Sequence, residues 1–391
     1  MKSFAIRAGT VSGAYLVTGL TVMLMVVALR QTLPPPPLRE LLGFYFIAAL
    51  AAGLDPGTAK ALFIGESREA GLAAVLGASA LKALVVAPVL GLVWRFAAPG
   101  LPLAILLTTP LIVIAGFWAT DVRVLLDLRG RHASAVWLKQ GSLAAGFVLA
   151  AILVGSGFPL LWAVLISSLA RLCLPVLAGW TDQPLSTGTR SAIGLLSNTP
   201  WIAFAGVSVL GAAGGSIDRV VALRWLPAAG YSGYYLLYEL FSRFWLLPYL
   251  LTPILFARIV AGQGGGVFAA WSWRFTAFAG FAFVIGVASV ALFAPGLLQG
   301  FLGVNFGLPT VALAGAIAIS ALTQLRVAEL QAAGGARRAL LATLAGTLVA
   351  MVAFGFGVRQ MGVDGLLWAW LLKSAVEFSV AMVGGRRDHL H

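Results

Sequence analysis

Apolar runs of about twenty residues, each long enough for a helix to cross a bilayer, follow one another along almost the whole chain. Inside lipid the backbone has to satisfy its own N–H and C=O groups, so such runs fold as helices. Only 10% of the 391 residues are charged and 60% are hydrophobic, with mean hydropathy +0.98. A soluble domain carries about 25% charged residues, which excludes a soluble enzyme or a nucleic-acid binder. The chain reads as an all-α, multi-pass membrane protein. After Lys2 and Arg7 the first run reaches Leu29 with no small-residue cleavage pattern, so it reads as a span rather than a cleaved signal. Cys173 stands alone in an apolar run and supports neither a disulfide framework nor a cysteine metal site.

Runs separated by proline, glycine and charge give about twelve spans, near 9–29, 41–63, 71–94, 101–122, 134–154, 158–179, 191–213, 230–257, 269–294, 308–328, 338–358 and 364–384. The 26 lysines and arginines, set against 13 acids, fix the sidedness, because cytoplasmic loops collect cations. With the N-terminus inside, fifteen fall in or beside inside segments, six fall outside, and five lie within spans. That bias predicts twelve helices with both termini cytoplasmic.

A polar break from Trp180 to Arg190 falls near the middle of the chain. Gly43-Phe44-Tyr45 opens the second span, and Gly233-Tyr234-Tyr235 opens the eighth, 190 residues later. The same shift lays most of the first span on the seventh. Parallel repeats of six spans are a recurring transporter design. The expectation is two six-helix lobes, residues 1–185 and 186–391, around a central cavity.

Five cations sit where a helix centre facing lipid would charge about 2.5–3.5 kcal/mol each. Lys82, Arg243 and Lys373 are central; Lys139 and Arg171 lie nearer the cytoplasmic end. The three central ones are expected to face the bundle interior or a water-filled cavity, whereas Lys139 and Arg171 could snorkel to the cytoplasmic end. Glu239 and Arg243, and Lys373 and Glu377, stand at i, i+4 on their own helices, either as structural pairs or as a working charge system. Lys82 has no acid in its own span, and neither do Arg171 and Lys139. Intramembrane cations without partners point to an anionic cargo such as a phosphate, a diphosphate or an acidic sugar. Tyr231, Tyr235, Glu239 and Arg243 share one helix face, which suits stacking against a sugar or simple packing; Trp94, Trp137, Trp180, Trp271 and Trp273 read as an interface belt. Prolines at 88, 110, 175, 200, 248 and 253 mark spans able to kink. No gap holds the large external loop of a membrane polymerase, and His132, His389 and His391 form no cluster, so neither enzymatic chemistry nor a cofactor is expected.

Ser216-Ile217-Asp218-Arg219, continuing through Val220 to Leu226, Ala229-Gly230-Tyr231 and Leu251 to Arg258, resembles the second-half signature of bacterial oligosaccharide flippases of the Wzx type. These belong to the multidrug/oligosaccharidyl-lipid/polysaccharide exporter superfamily and move O-antigen or exopolysaccharide repeat units. Leu42-Gly43-Phe44-Tyr45 with Gly53-Leu54-Asp55 resembles the first-half pattern, although Pro56-Gly57 follows the acid. The chain lacks the length for the fourteen-helix peptidoglycan-precursor branch. The resemblance implies an undecaprenyl-diphosphate-linked glycan as cargo in the bacterial cytoplasmic (inner) membrane, with membrane lipid and polysaccharide polymerase or export proteins as partners. On that reading Lys82, Arg243, Lys373 and Tyr235 would meet the cargo, and Arg171 and Lys139 would guide it in from the cytoplasmic side. Glu239 and Glu377 would tune those charges or carry coupling protons. Two alternatives stand beside it: an ion-coupled drug or metabolite exporter, for which three intramembrane acids (Asp55, Glu239 and Glu377) are few, and a membrane glycosyltransferase or polymerase.

Overall fold

The computed structural model describes residues 2–54, 72–128, 131–180, 210–212, 214–260, 265–296, 299, 307–333 and 336–383. Among these residues there are helices and turns and no strand. In chain order the helices are α1 (Lys2–Thr32), α2 (Pro35–Gly53), α3 (Leu72–Ala97), α4 (Leu103–Leu106), α5 (Thr109–Leu128), α6 (His132–Gly155) and α7 (Leu160–Trp180). They continue with α8 (Ile217–Trp225), α9 (Ala228–Ser242), α10 (Leu246–Val260), α11 (Gly265–Phe293), α12 (Leu308–Ala332), α13 (Ala336–Met361) and α14 (Val363–Val383). The chain divides into two compact units, Met1–Ala212 and Ala213–His391. The expected lobe boundary at 185/186 lies outside the described residues.

Nine described helices are long and apolar enough to cross a membrane. They are the first, third to sixth and ninth to twelfth expected spans. The other three have separate physical explanations. The second is α2, which starts at Pro35 rather than near 41, because proline at the first helical position is favoured; Pro36, Pro37, Arg39 and Glu40 then dilute its hydropathy. The expected seventh span, 191–213, lies almost wholly outside the described residues. The eighth is not one helix: a 3-10 turn at Arg243–Trp245 separates α9 from α10. Pro248 supplies the cause, having no N–H for the carbonyl of Phe244 and a ring that crowds it.

The two units repeat one packing plan. In the first, α5 packs against α2, α3, α6 and α7, while α1 packs against α6 and α6 against α7. In the second, α12 packs against α10, α11, α13 and α14, while α8 packs against α13 and α13 against α14. The starts of the paired helices lie 193 residues apart for α2/α9 and α3/α11, and 199, 204 and 203 apart for α5/α12, α6/α13 and α7/α14, more than the 190-residue shift read from the sequence. Under it α8 takes the place of the last turns of α1, so residues 217–225, expected in an outside loop, form a packed helix instead.

Small residues make these contacts possible, as interfaces in lipid require. A Cβ at Gly116 would stand 2.9 Å from the backbone nitrogen of Ala52, and the Thr120 hydroxyl nearby donates to the Ala52 carbonyl at 3.1 Å. Between α13 and α14, a Cβ at Gly365 would lie 1.9 Å from the Gly357 carbonyl oxygen. These two helices turn on Gly362, whose φ of +61° suits glycine. Large apolar side chains such as Val85, Leu92, Phe278 and Val352 point outward, where lipid would cover them. Trp94, expected in an interface belt, is fully buried, while Trp137 and Trp271 are exposed.

Candidate functional site

In the first unit the decisive side chain is Arg171, on α7. It is 1% exposed, and none of its three guanidinium nitrogens has a hydrogen-bond partner among the described residues. Gly146 on α6 provides its seat: a Cβ there would lie 2.3 Å from Cδ of Arg171 and 2.6 Å from Cγ. Ser168, one turn earlier on the same face of α7, is also buried with its hydroxyl unbonded among the described residues. A buried cation and a buried hydroxyl thus present donors that make no hydrogen bond among the described residues, with Tyr45 of α2 within electrostatic reach of the guanidinium.

Lys82 stands differently from its expectation. It is buried on α3, but it is not without partners. One turn earlier, the Ser79 hydroxyl donates to Oδ2 of Asp121 on α5, and Asp121 is fully buried. The tally of three intramembrane acids omits Asp121, at the end of the fourth expected span, so the picture of a solitary lysine is corrected. Lys139 is half-buried on α6. Lys82, Lys139 and Arg171 occupy three different helices.

The second unit brings its charged residues together. Tyr231 and Tyr235 are buried, and the Tyr235 hydroxyl donates to Oε1 of Glu239 at 3.2 Å. Arg243 donates through Nη2 to Oε2 of Glu239, and through Nε to the Glu239 carbonyl at 3.1 Å. On α14, Lys373 donates to Oε2 of Glu377 at 3.0 Å and lies 4.9 Å from the centre of the Trp370 ring. Each glutamate is therefore held by a cation four residues away in sequence. Trp370 connects the two groups. Its indole N–H is shared between the Tyr234 hydroxyl at 3.0 Å and Oδ2 of Asp218 at 3.3 Å.

Asp218 and Arg219, expected in the outside loop, are buried or nearly so. The Tyr234 hydroxyl donates to Oδ2 of Asp218 at 2.5 Å, and Nε of Arg219 stands 3.8 Å from Oδ1. Arg219 lies over the Tyr238 ring at 4.6 Å. Tyr238, Trp245, Trp370 and Phe354 pack edge to face or tilted around this cluster. Among the described residues no three His, Cys, Asp or Glu side chains gather as a metal site.

No protein-family model and no curated protein matches the sequence. Solved structures do match. The lipid II flippase MurJ, in its inward closed conformation, aligns over 98% of this chain and 87% of its own, with TM-score 0.69 and 13% identity. An inward-facing multidrug resistance MATE family transporter of the MOP superfamily aligns over 98% of this chain and 97% of its own, with TM-score 0.61 and 15% identity. This chain has the fold of the MOP-superfamily transporters. A third MOP-superfamily transporter, from Pyrococcus furiosus and described by the reversed polarity of its binding pocket, aligns over 97% and 92% with TM-score 0.56 and 16% identity. At these identities the likeness is one of fold.

Within the MOP fold, sequence reasoning located the pairs Glu239–Arg243 and Lys373–Glu377, whose i, i+4 spacing is local. It missed the roles of Asp121 and Asp218. Asp218 carried a signal: Ser216-Ile217-Asp218-Arg219 leads into Val220-Val221-Ala222-Leu223, an apolar run on a helix rather than a loop.

Proposed function

We propose that this protein moves a lipid-linked oligosaccharide, with an anionic diphosphate at its base, from the inner to the outer leaflet by alternating access. The observation that carries the reading is Arg171: a guanidinium and a neighbouring hydroxyl, both buried, with no hydrogen bond among the described residues. A guanidinium binds phosphate oxygens in pairs, and a diphosphate supplies the acceptors that this seat lacks. The likeness to MurJ, a lipid II flippase, supports a lipid-linked cargo. The Wzx-like stretch from Ser216 to Arg258 favours an undecaprenyl-linked O-antigen or exopolysaccharide unit over a peptidoglycan precursor. Arg243 and Lys373 would then trade their glutamates for the cargo. Lys82 and Lys139 would act from the first unit, and Tyr235 would offer its ring to a sugar.

One observation favours a second reading, a MATE-like exporter of cationic compounds. Asp121 and Asp218 add two buried acids to the three counted from sequence. Reconstitution in liposomes separates the two. The flippase should move a labelled undecaprenyl-diphosphate oligosaccharide across the bilayer, and Arg171→Gln should abolish the movement. Accumulation of cationic dyes with no movement of the lipid-linked sugar would overturn the proposal in favour of the exporter.

A further inference from the structure

Asp218 is the buried carboxyl that the proposed cargo path leaves unused. Its two oxygens have different surroundings. Oδ2 accepts from the Tyr234 hydroxyl and from the Trp370 indole, whereas Oδ1 has no side-chain hydrogen bond among the described residues and stands 3.8 Å from Nε of Arg219, whose backbone N–H also lies against the carboxyl. That separation is too long for a hydrogen bond, so the pair attracts without being locked. Glu239 and Glu377, the other candidates to carry a proton, each already accept from a cation four residues away in sequence.

We infer that Asp218 is a proton-binding site and that its protonation releases Arg219. The proton comes from water and settles on Oδ1, the oxygen that no described side chain hydrogen-bonds. The carboxyl becomes neutral, and the cluster gains one positive charge. Arg219 is then held by its own turn, where Nη2 donates to the Gly215 carbonyl at 2.6 Å and the Ser216 hydroxyl at 3.1 Å, and by the Tyr238 ring. Tyr235 and Glu239 on α9 lie within its electrostatic reach. Proton uptake would therefore leave an uncompensated cation against the face of α9 that carries Tyr235 and Glu239.

The groups around Asp218 are few. Its own helix supplies Arg219, and α9 supplies Tyr234, with Tyr238, Tyr235 and Glu239 behind Arg219. From α14 come Trp370 and, one turn on, Lys373. From α13, Arg359 reaches only the far end of the helix, over Trp225 at 4.8 Å. Among the described residues, Glu239 is the other acid of this shell, and it accepts from Arg243.

The inference rests on the transporter reading only in assigning the freed cation a use, and its test needs no cargo. Infrared difference spectra of the purified full chain in lipid discs, stepped through pH, read the C=O stretch of protonated carboxyls. Wild type should show a titrating buried carboxyl that is missing from Asp218→Asn. Tyr234→Phe removes one donor to the charged form, so the titration midpoint should rise by about one pH unit. A titrating signal unchanged in Asp218→Asn, or a midpoint that Tyr234→Phe leaves in place or lowers, overturns the proposal. So does a signal that answers to sodium at fixed pH. Should Asp218→Asn fail to fold, the direction of the Tyr234→Phe shift decides alone. A positive result with no movement of lipid-linked sugar would retire the cargo reading and leave the proton site standing.

Discussion

Replacing Arg171 with methionine should make the protein more stable and stop it working. An ionised group taken out of water costs several kcal/mol even after relaxation, and that cost is recovered only by a well-placed counter-charge. Arg171 is 1% exposed and lacks any hydrogen-bond partner among the described residues. Methionine keeps an unbranched stem for the groove over Gly146, where Cγ and Cδ of the arginine now lie, and drops the charge. Substituting buried charge by apolar groups of similar volume gains about 1–4 kcal/mol in favourable cases. For a unit of this size each kcal/mol moves the melting temperature by about 2–4 °C, so a rise of roughly 2–16 °C is expected. Thermal unfolding of purified protein, followed by tryptophan fluorescence in detergent, measures it, and the liposome assay on the same sample should read no transfer of lipid-linked sugar. A fall in melting temperature would refute the reasoning. It would mean that an acid elsewhere in the chain meets the guanidinium, and that the substitution strands that acid.

Three further outcomes follow from separate contacts. Gly365→Ala would place a Cβ 1.9 Å from the Gly357 carbonyl oxygen, so α13 and α14 must part; a loss of about 1–3 kcal/mol or more should appear in thermal unfolding, and a neutral result would mean that the two backbones do not touch. Arg243→Gln alone leaves Glu239 short of its cation and should lower protein amounts in the membrane, while Glu239→Gln with Arg243→Gln restores the amounts but not transport; full transport by the double variant would assign the pair to structure alone. Reporter fusions after Arg131 and Arg338 should read cytoplasmic and those after Gly155 and Arg359 external, and agreement between Arg131 and Gly155 would break the twelve-span topology.

What the sequence alone determined is what depends on local spacing. A run of twenty apolar residues has one stable form in lipid, so helix type and most helix positions were legible, as were the i, i+4 pairs Glu239–Arg243 and Lys373–Glu377. Even the break in the eighth span follows from Pro248, although the sequence does not say whether proline will bend a helix or interrupt it. Tertiary structure decided which charges meet. Ser79 and Asp121 lie 42 residues apart and Asp218 and Trp370 lie 152 apart, distances over which no periodicity carries information. Lys82 therefore read as solitary although a buried acid shares its surroundings. Asp218 read as a loop residue although three helices enclose it. Arg171, one of five intramembrane cations in the sequence, became distinctive only once packing on Gly146 closed it off from water. The reason is dielectric: a charge gains its meaning in a membrane protein from what surrounds it after folding, and the linear order of residues does not contain that environment.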